Sequence, residues 1–449
     1  MSIIYFLTGY FAFEEFILKF LPVSDNVYSY LRFLGEMLIY AAFGRLILHK
    51  LYRGIPFVKT PIDLPILGFY CVVLLSLVVN RSPLIGSLYN IRPLARYIVL
   101  FYLIVNSPIS KERIATLLRI IIGIGLVQIG VGLVQWLGGP TIYDLFLPRA
   151  STLDVAGFTK EYRLLEVGRE IGSIYGTLGD TVIYGVFMII ILVVVLSRIK
   201  KLEYLNLLTI GVLLLVIARS YSRAATFSAI LACVVWYFFQ FGWKNTLRLS
   251  LVVLFLFGIL LAIVNPFELD YINPRKARVG MVGNITGVFS GSYVKVAQKQ
   301  RLGAILGNVP TVIANRPILG YGADQNTTIE RLNQSKRSYL FKILSKKGFK
   351  DVYWVAILCF YGVLGLGLFM LIFYKLFTAS LSLYRNTVNR FTKEMAMVML
   401  CLVVVTVFLL FFNRTLEFRG FGFYFWMCAG LMFVSDTTIQ TYRAIRITL

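Results

Sequence analysis

The feature that most constrains this chain is the recurrence of apolar runs long enough to cross a hydrocarbon core of about 30 Å. About twelve such runs occur, at 4 to 22, 28 to 48, 62 to 80, 89 to 106, 114 to 138, 174 to 197, 203 to 219, 224 to 242, 247 to 265, 352 to 378, 395 to 412 and 421 to 438. The chain of 449 residues is 58% hydrophobic and 15% aromatic, with a mean hydropathy of +0.78. That composition lies outside the range of soluble domains. The sequence therefore predicts an all-α polytopic membrane protein, residues 1–449 forming a single integral membrane domain. The first run has no basic flank before it and no small-residue cleavage site after it, and is read as a retained span.

Orientation follows from the short basic loops. With Met1 inside, the even-numbered connections carry Lys50 and Arg53, Lys111 and Arg113, Lys200 and Lys201, Lys244 and Arg248, Arg385 and Arg390, and finally Arg443 and Arg446. The positive-inside rule then places both termini in the cytoplasm, in a multi-pass protein of the cytoplasmic membrane. The reverse orientation leaves "PVSDNVY" as an inside loop without a Lys or Arg.

This topology puts residues 266–351 on the outer side, a connection far longer than the usual few residues. It carries 14 Lys and Arg against 5 Asp and Glu. So basic an outer segment implies an anionic partner, with adhesion to anionic lipid head groups as the plainer alternative. From Val296 to Ile313 apolar residues recur at helical spacing, followed by a break at Arg316-Pro317 and turns at Gly320 and Gly322. The segment reads as a partly helical extracytoplasmic loop capping an active site. Its "GYG" offers backbone N–H groups to a phosphate, although it lacks the lysine and following helix of a nucleotide loop.

Arginines mark the same side. Arg219 and Arg223, four apart in "ARSYSRAAT", are expected to share one helix face. Arg92 and Arg96 open the fourth run, Arg163 and Arg169 precede the sixth, and Arg414 and Arg419 lie between the last two. Guanidinium forks suit phosphate oxygens, and several at one depth point to anion binding; snorkelling of each to the interface is the alternative. The five cysteines all lie in apolar runs and imply no disulfide framework. The single histidine, His49, lies on the cytoplasmic flank, so neither a zinc site nor a histidine base is expected outside. Glu268 and Asp270 in "FELDY" have the spacing of an acidic pair, but a metal is not expected there. Glu14, Glu15, Glu36 and Asp180 lie in or at the apolar runs, where carboxylates can relay protons, and keep a transporter in view.

Four motifs in order then carry a resemblance: "SRAA" (222 to 225), "QRLGAIL" containing Arg301, "NRPILGYG" (315 to 322), and the polar opening of "DVYWVAILCFYGVLGLGLF" (351 to 369). With "LLEVGREIGSIYGTLGDTVIYGVFM" (164 to 188), they resemble the O-antigen ligase and polymerase superfamily of membrane glycosyltransferases. The resemblance implies a GT-C-like fold and metal-independent, cofactor-free transfer of a glycan from undecaprenyl pyrophosphate to an acceptor hydroxyl at the outer membrane face. On that resemblance Arg223 and Arg301 face the pyrophosphate, with Arg219, Arg316, Arg163 and Arg169 as further contacts. Ligases of the superfamily carry a histidine where this chain has Asp351. That departure favours a polymerase of O-antigen, capsule or exopolysaccharide, joining lipid-linked repeat units, over a ligase acting on lipid A core or protein. Asp351 and Glu417 are the two candidates for the general base. The implied partners are the undecaprenyl-pyrophosphate-linked oligosaccharide, membrane lipids and a chain-length regulator, with no nucleic acid. A non-enzymatic flippase for lipid-linked glycans is the remaining alternative.

Overall fold

The computed structural model describes residues 2–138, 142, 145–146, 151–153, 159–161, 173–242, 301–335 and 352–435. The first half supplies α1 (Ser2–Lys19), α2 (Asp25–Leu31), α3 (Leu34–Tyr52), α4 (Asp63–Val79), α5 (Leu84–Val105) and α6 (Lys111–Leu137). Then come an antiparallel ribbon, β1 (Ser151–Leu153) and β2 (Thr159–Glu161), α7 (Thr181–Arg198), α8 (Tyr204–Arg219) and α9 (Arg223–Phe241). After them follow α10 (Arg301–Asn315), α11 (Gln325–Ser335), α12 (Tyr353–Asn386), α13 (Arg390–Leu409), a 3-10 turn (Thr415–Glu417) and α14 (Arg419–Ser435).

Among the described residues, six helices are long and apolar enough to cross a membrane: α5, α6, α7, α9, α12 and α13. The protein is a polytopic helical membrane protein, as expected, with one short two-stranded ribbon. A helix lies on each expected apolar run except 247 to 265, which falls outside the described residues. The second run is two helices, α2 and α3, parted at Arg32 and Phe33.

Lipid-type burial, not helix propensity, sets these elements. Helix α7, "TVIYGVFMIIILVVVLSR", is rich in β-branched residues that weaken helices in water. In hydrocarbon every backbone group must be paired within the segment, so the helix forms regardless. Asp180 caps it, its Oδ1 accepting from the N–H groups of Val182 (2.7 Å) and Ile183 (3.1 Å). The sixth run was expected to be helical from 174, but the helix starts at 181. Residues 174 to 177 are held by side chains of α6 instead: Gln135 Oε1 accepts from Tyr175 and Gly176, and Gln128 Oε1 from Thr177.

Helices α7, α13 and α14 form the interior, with nearly every side chain of α14 buried. Helices α3, α4 and α8 turn leucines outward, among them Leu48, Leu67 and Leu205. We call the end of the bundle where α1 finishes and α3 begins the upper end.

Helix α12 spans 34 residues, about 51 Å at 1.5 Å per residue, and it is broken at Gly362 (φ 67°, ψ −166°). The strap of residues 317–322 fills the break. Tyr321 N donates to Cys359 O (2.8 Å), Gly322 N to Phe360 O (3.1 Å), and Val363 N to Pro317 O (2.7 Å). Ser76 Oγ of α4 lies 2.7 Å from Leu319 O and 2.9 Å from Phe360 O, so one hydroxyl serves strap and helix together. A side chain at Gly320 (φ 63°) would bring its Cβ to 2.6 Å from Cys359 O, and one at Gly362 to 2.3 Å from Ile318 O. Only glycine fits this crossing. The break separates a short upper segment, 353–361, from a continuous stretch of about 36 Å that suffices to span a bilayer.

Candidate functional site

Among the described residues, the upper end gathers several of the arginines that sequence singled out, in two different settings. At the corner between α8 and α9, Arg219 is the last residue of one helix and Arg223 the first of the next. They therefore do not share one helix face, contrary to the spacing-based expectation. Tyr221, at φ 52°, makes the reversal, and Ser222 caps α9. The Arg219 guanidinium lies 4.5 Å from the Trp136 ring centre on α6, and its Nη1 is 3.2 Å from Tyr221 Oη. Arg223 is exposed beside it.

The second setting is a buried ion cluster. Arg96, wholly buried on α5, donates to Glu36 Oε1 of α3 at 2.6 Å and to the backbone carbonyl of Glu417. Arg92 stands 3.7 Å from the other Glu36 oxygen and stacks on Phe33. Arg419, opening α14, meets Glu14 of α1 at 2.5 Å and Glu36 at 3.9 Å, and donates to the carbonyl of Arg32. Arg32 pairs with Glu15, which also accepts from Tyr28 Oη at 3.2 Å. The cluster joins α1, α3, α5 and α14. Arg92, Arg96 and Arg419 were expected among the phosphate-facing arginines; their charge is instead met by carboxylates inside the fold. Glu14, Glu15 and Glu36 are likewise held by guanidinium groups, which is the usual resolution for charge at membrane depth.

Glu417 belongs to this cluster through its backbone and to something else through its side chain. Its Oε2 accepts from Arg414 Nη1 at 3.1 Å, and both residues line a cleft between α5, α11, α12 and the 3-10 turn. The cleft wall also carries Asn90, Gln325, Tyr353 and Tyr361. Glu417 is 6% exposed. The corner and the cleft lie at the same end: Gly420, at the start of α14, packs on Leu178, and Ile174 N of that same lead-in donates to Arg219 O at 3.1 Å.

The strap does not act as a phosphate cradle. The N–H groups of Tyr321 and Gly322 are spent on α12, and Arg331 of α11 clamps the strap by donating to Asn80 O (2.7 Å) and Tyr321 O (3.1 Å). Burial raises the Tyr321 phenol above its ordinary range, so it stays neutral around pH 7.

Of the other candidates, Arg301 opens α10, though its side chain lies outside what is described. Arg316 is exposed at the end of α10, its N–H donating to Val312 O at 2.8 Å. Arg163, Arg169 and Asp351, with Glu268 and Asp270, lie outside the described residues. Sequence reasoning missed Tyr353 and Tyr361; aromatic residues inside an apolar run carry no signal that they will face a polar cleft. The upper end thus offers an exposed arginine corner and a carboxylate in a cleft, the former suited to an anion and the latter to taking a proton from a hydroxyl. Comparison with protein-family models and with curated proteins returns no match.

Proposed function

We propose that this chain is a membrane glycosyltransferase of the O-antigen ligase and polymerase type, with about twelve spans in a GT-C-like arrangement, both termini cytoplasmic and the upper end outside. It joins a glycan carried on undecaprenyl pyrophosphate to another lipid-linked repeat unit. The observation that carries this reading is the Glu417–Arg414 pair in a cleft at the same bundle end as the Arg219–Arg223 corner.

Glu417 accepts the proton of the acceptor hydroxyl while that oxygen bonds to the anomeric carbon of the donor. The bond from that carbon to the pyrophosphate oxygen breaks, and its electron pair leaves with the phosphate. Arg223, together with Arg301 and other basic groups of the outer segment, stabilises the developing charge in a site of reduced dielectric. Arg414 holds the Glu417 carboxylate in place, its Nη1 donating to Oε2 at 3.1 Å. Asp351, two residues before α12 in the sequence, is the alternative base.

Reconstituted protein supplied with a lipid-linked repeat unit alone should form a polymer ladder, and Glu417→Gln should abolish it while leaving folded protein. A Glu417→Gln protein that still makes full-length polymer removes Glu417 as the base. Product formed only when lipid A core or a protein is added means a ligase; translocation without any transfer means a flippase.

A further inference from the structure

The cleft holding Glu417 opens to one side, and the room inside it, about 10 Å3, takes one water-sized group. Its polar groups are mixed in a particular way: two phenols, two carboxamides and one carboxylate–guanidinium pair. A phosphate would meet the Glu417 carboxylate and a cation would meet Arg414, while a hydrocarbon tail would cover polar groups of the wall without pairing them. Neutral hydroxyl groups, which both donate and accept, satisfy all of them. The aromatic bodies of Tyr353 and Tyr361 offer apolar faces for the C–H edge of a ring. Tyr353 is 1% exposed on the cleft wall, and its hydroxyl faces the Glu417 carboxylate without a well-aligned hydrogen bond, so a hydroxyl entering between them can bond to both. Asn90 is fixed from the α11 side, its Nδ2 donating to Ala323 O at 2.9 Å.

We propose that this cleft is a pyranose subsite that takes the hydroxyl-bearing edge of one sugar, with Tyr353 Oη hydrogen-bonding the ring and Gln325 closing over it from α11. Naming that sugar the acceptor rests on the transferase reading above; binding of the sugar does not. The room inside takes one ring hydroxyl, and Tyr353, beside Glu417, selects which one is presented to it.

Methyl glycosides of glucose, galactose, mannose and N-acetylglucosamine, titrated into the full-length protein in nanodiscs, test this by saturation-transfer NMR. At least one glycoside binds the wild type; Tyr353→Phe, which removes only the hydroxyl, weakens it at least tenfold, and Gln325→Ala weakens it several-fold. Thermal unfolding of both variants stays at the wild-type value. Binding by none of the four, or binding unchanged in both variants, overturns the subsite. Transfer assays separate the two ideas. A protein that binds glycoside through Tyr353 but transfers nothing from an undecaprenyl-pyrophosphate-linked sugar keeps the subsite and ends the transferase reading. One that transfers normally as Tyr353→Phe, with unchanged acceptor KM, ends the subsite alone.

Discussion

Two groups of arginines occupy the upper end of this bundle, and the difference between them lies in what answers their charge. In the cluster of Arg32, Arg92, Arg96 and Arg419, each guanidinium is matched by Glu14, Glu15 or Glu36 within the fold. At the α8–α9 corner, Arg219 rests on the faces of Trp136 and Tyr221, and Arg223 is exposed. An arginine matched by carboxylate has little attraction left for phosphate, whereas one lying on an aromatic face keeps its full positive charge. Proximity to the same membrane face thus does not make arginines equivalent, and the two groups should respond to mutation in opposite ways.

The largest effect is expected inside the cluster. Arg96→Ala leaves Glu36 short of its closest partner in a site from which water is excluded, and should cost about 3–5 kcal/mol. Fluorescence-detected size exclusion should show loss of monodisperse protein. Normal yield and unfolding temperature would move Arg96 out of the structural group.

Next in size is the strap. Gly320→Ala places a Cβ 2.6 Å from Cys359 O in a left-handed backbone conformation, and should destabilise by about 1–3 kcal/mol. Because Gln325 and Tyr361 bracket the same crossing, polymer formation should fall with it. Unchanged thermal unfolding would mean that the cleft wall is held by the ion cluster alone.

The fold was largely legible from sequence because apolar run length is a local property, and lipid enforces helices wherever such runs occur. The exceptions are instructive. The break at Gly362 depends on a strap some forty residues earlier, and the non-helical stretch 174–177 depends on two glutamines of α6; neither shows in local hydropathy. The ion cluster was half legible. Glu14 and Glu36 were visible as carboxylates within apolar runs, but the partner of Glu14 is Arg419, 405 residues away. Sequence shows that a charge at membrane depth requires a partner without showing which one. At the corner, spacing alone suggested a shared helix face because Tyr221 gives no sign that it will adopt φ 52°.

Arg219→Ala tests the aromatic-supported arginine. Losing the contact with Trp136 should cost about 0.5–2 kcal/mol, less than Arg96→Ala, and Arg219→Lys should recover part of it because an ammonium still favours the ring face. Equal losses for Arg96→Ala and Arg219→Ala, measured by thermal unfolding in the same nanodiscs, would erase the distinction between the two groups.

Arg223→Ala should have the smallest structural effect and sharpen the comparison most. Ser222 still caps α9, and the exposed side chain lies at a helix start where a positive charge faces the unfavourable end of the helix dipole. Its removal should change stability by no more than about 0.5 kcal/mol. Under the transferase reading, Arg223 lies at the bundle end that carries the cleft and stabilises the leaving pyrophosphate. Transfer from an undecaprenyl-pyrophosphate donor should therefore fall by about 10²–10³-fold, the usual loss when one group stabilising transition-state charge is removed. Arg223→Lys should recover part of the rate, since a point charge replaces the bidentate fork only imperfectly. Full activity in Arg223→Ala would leave the corner as a helix anchor and shift the pyrophosphate site to the basic outer segment.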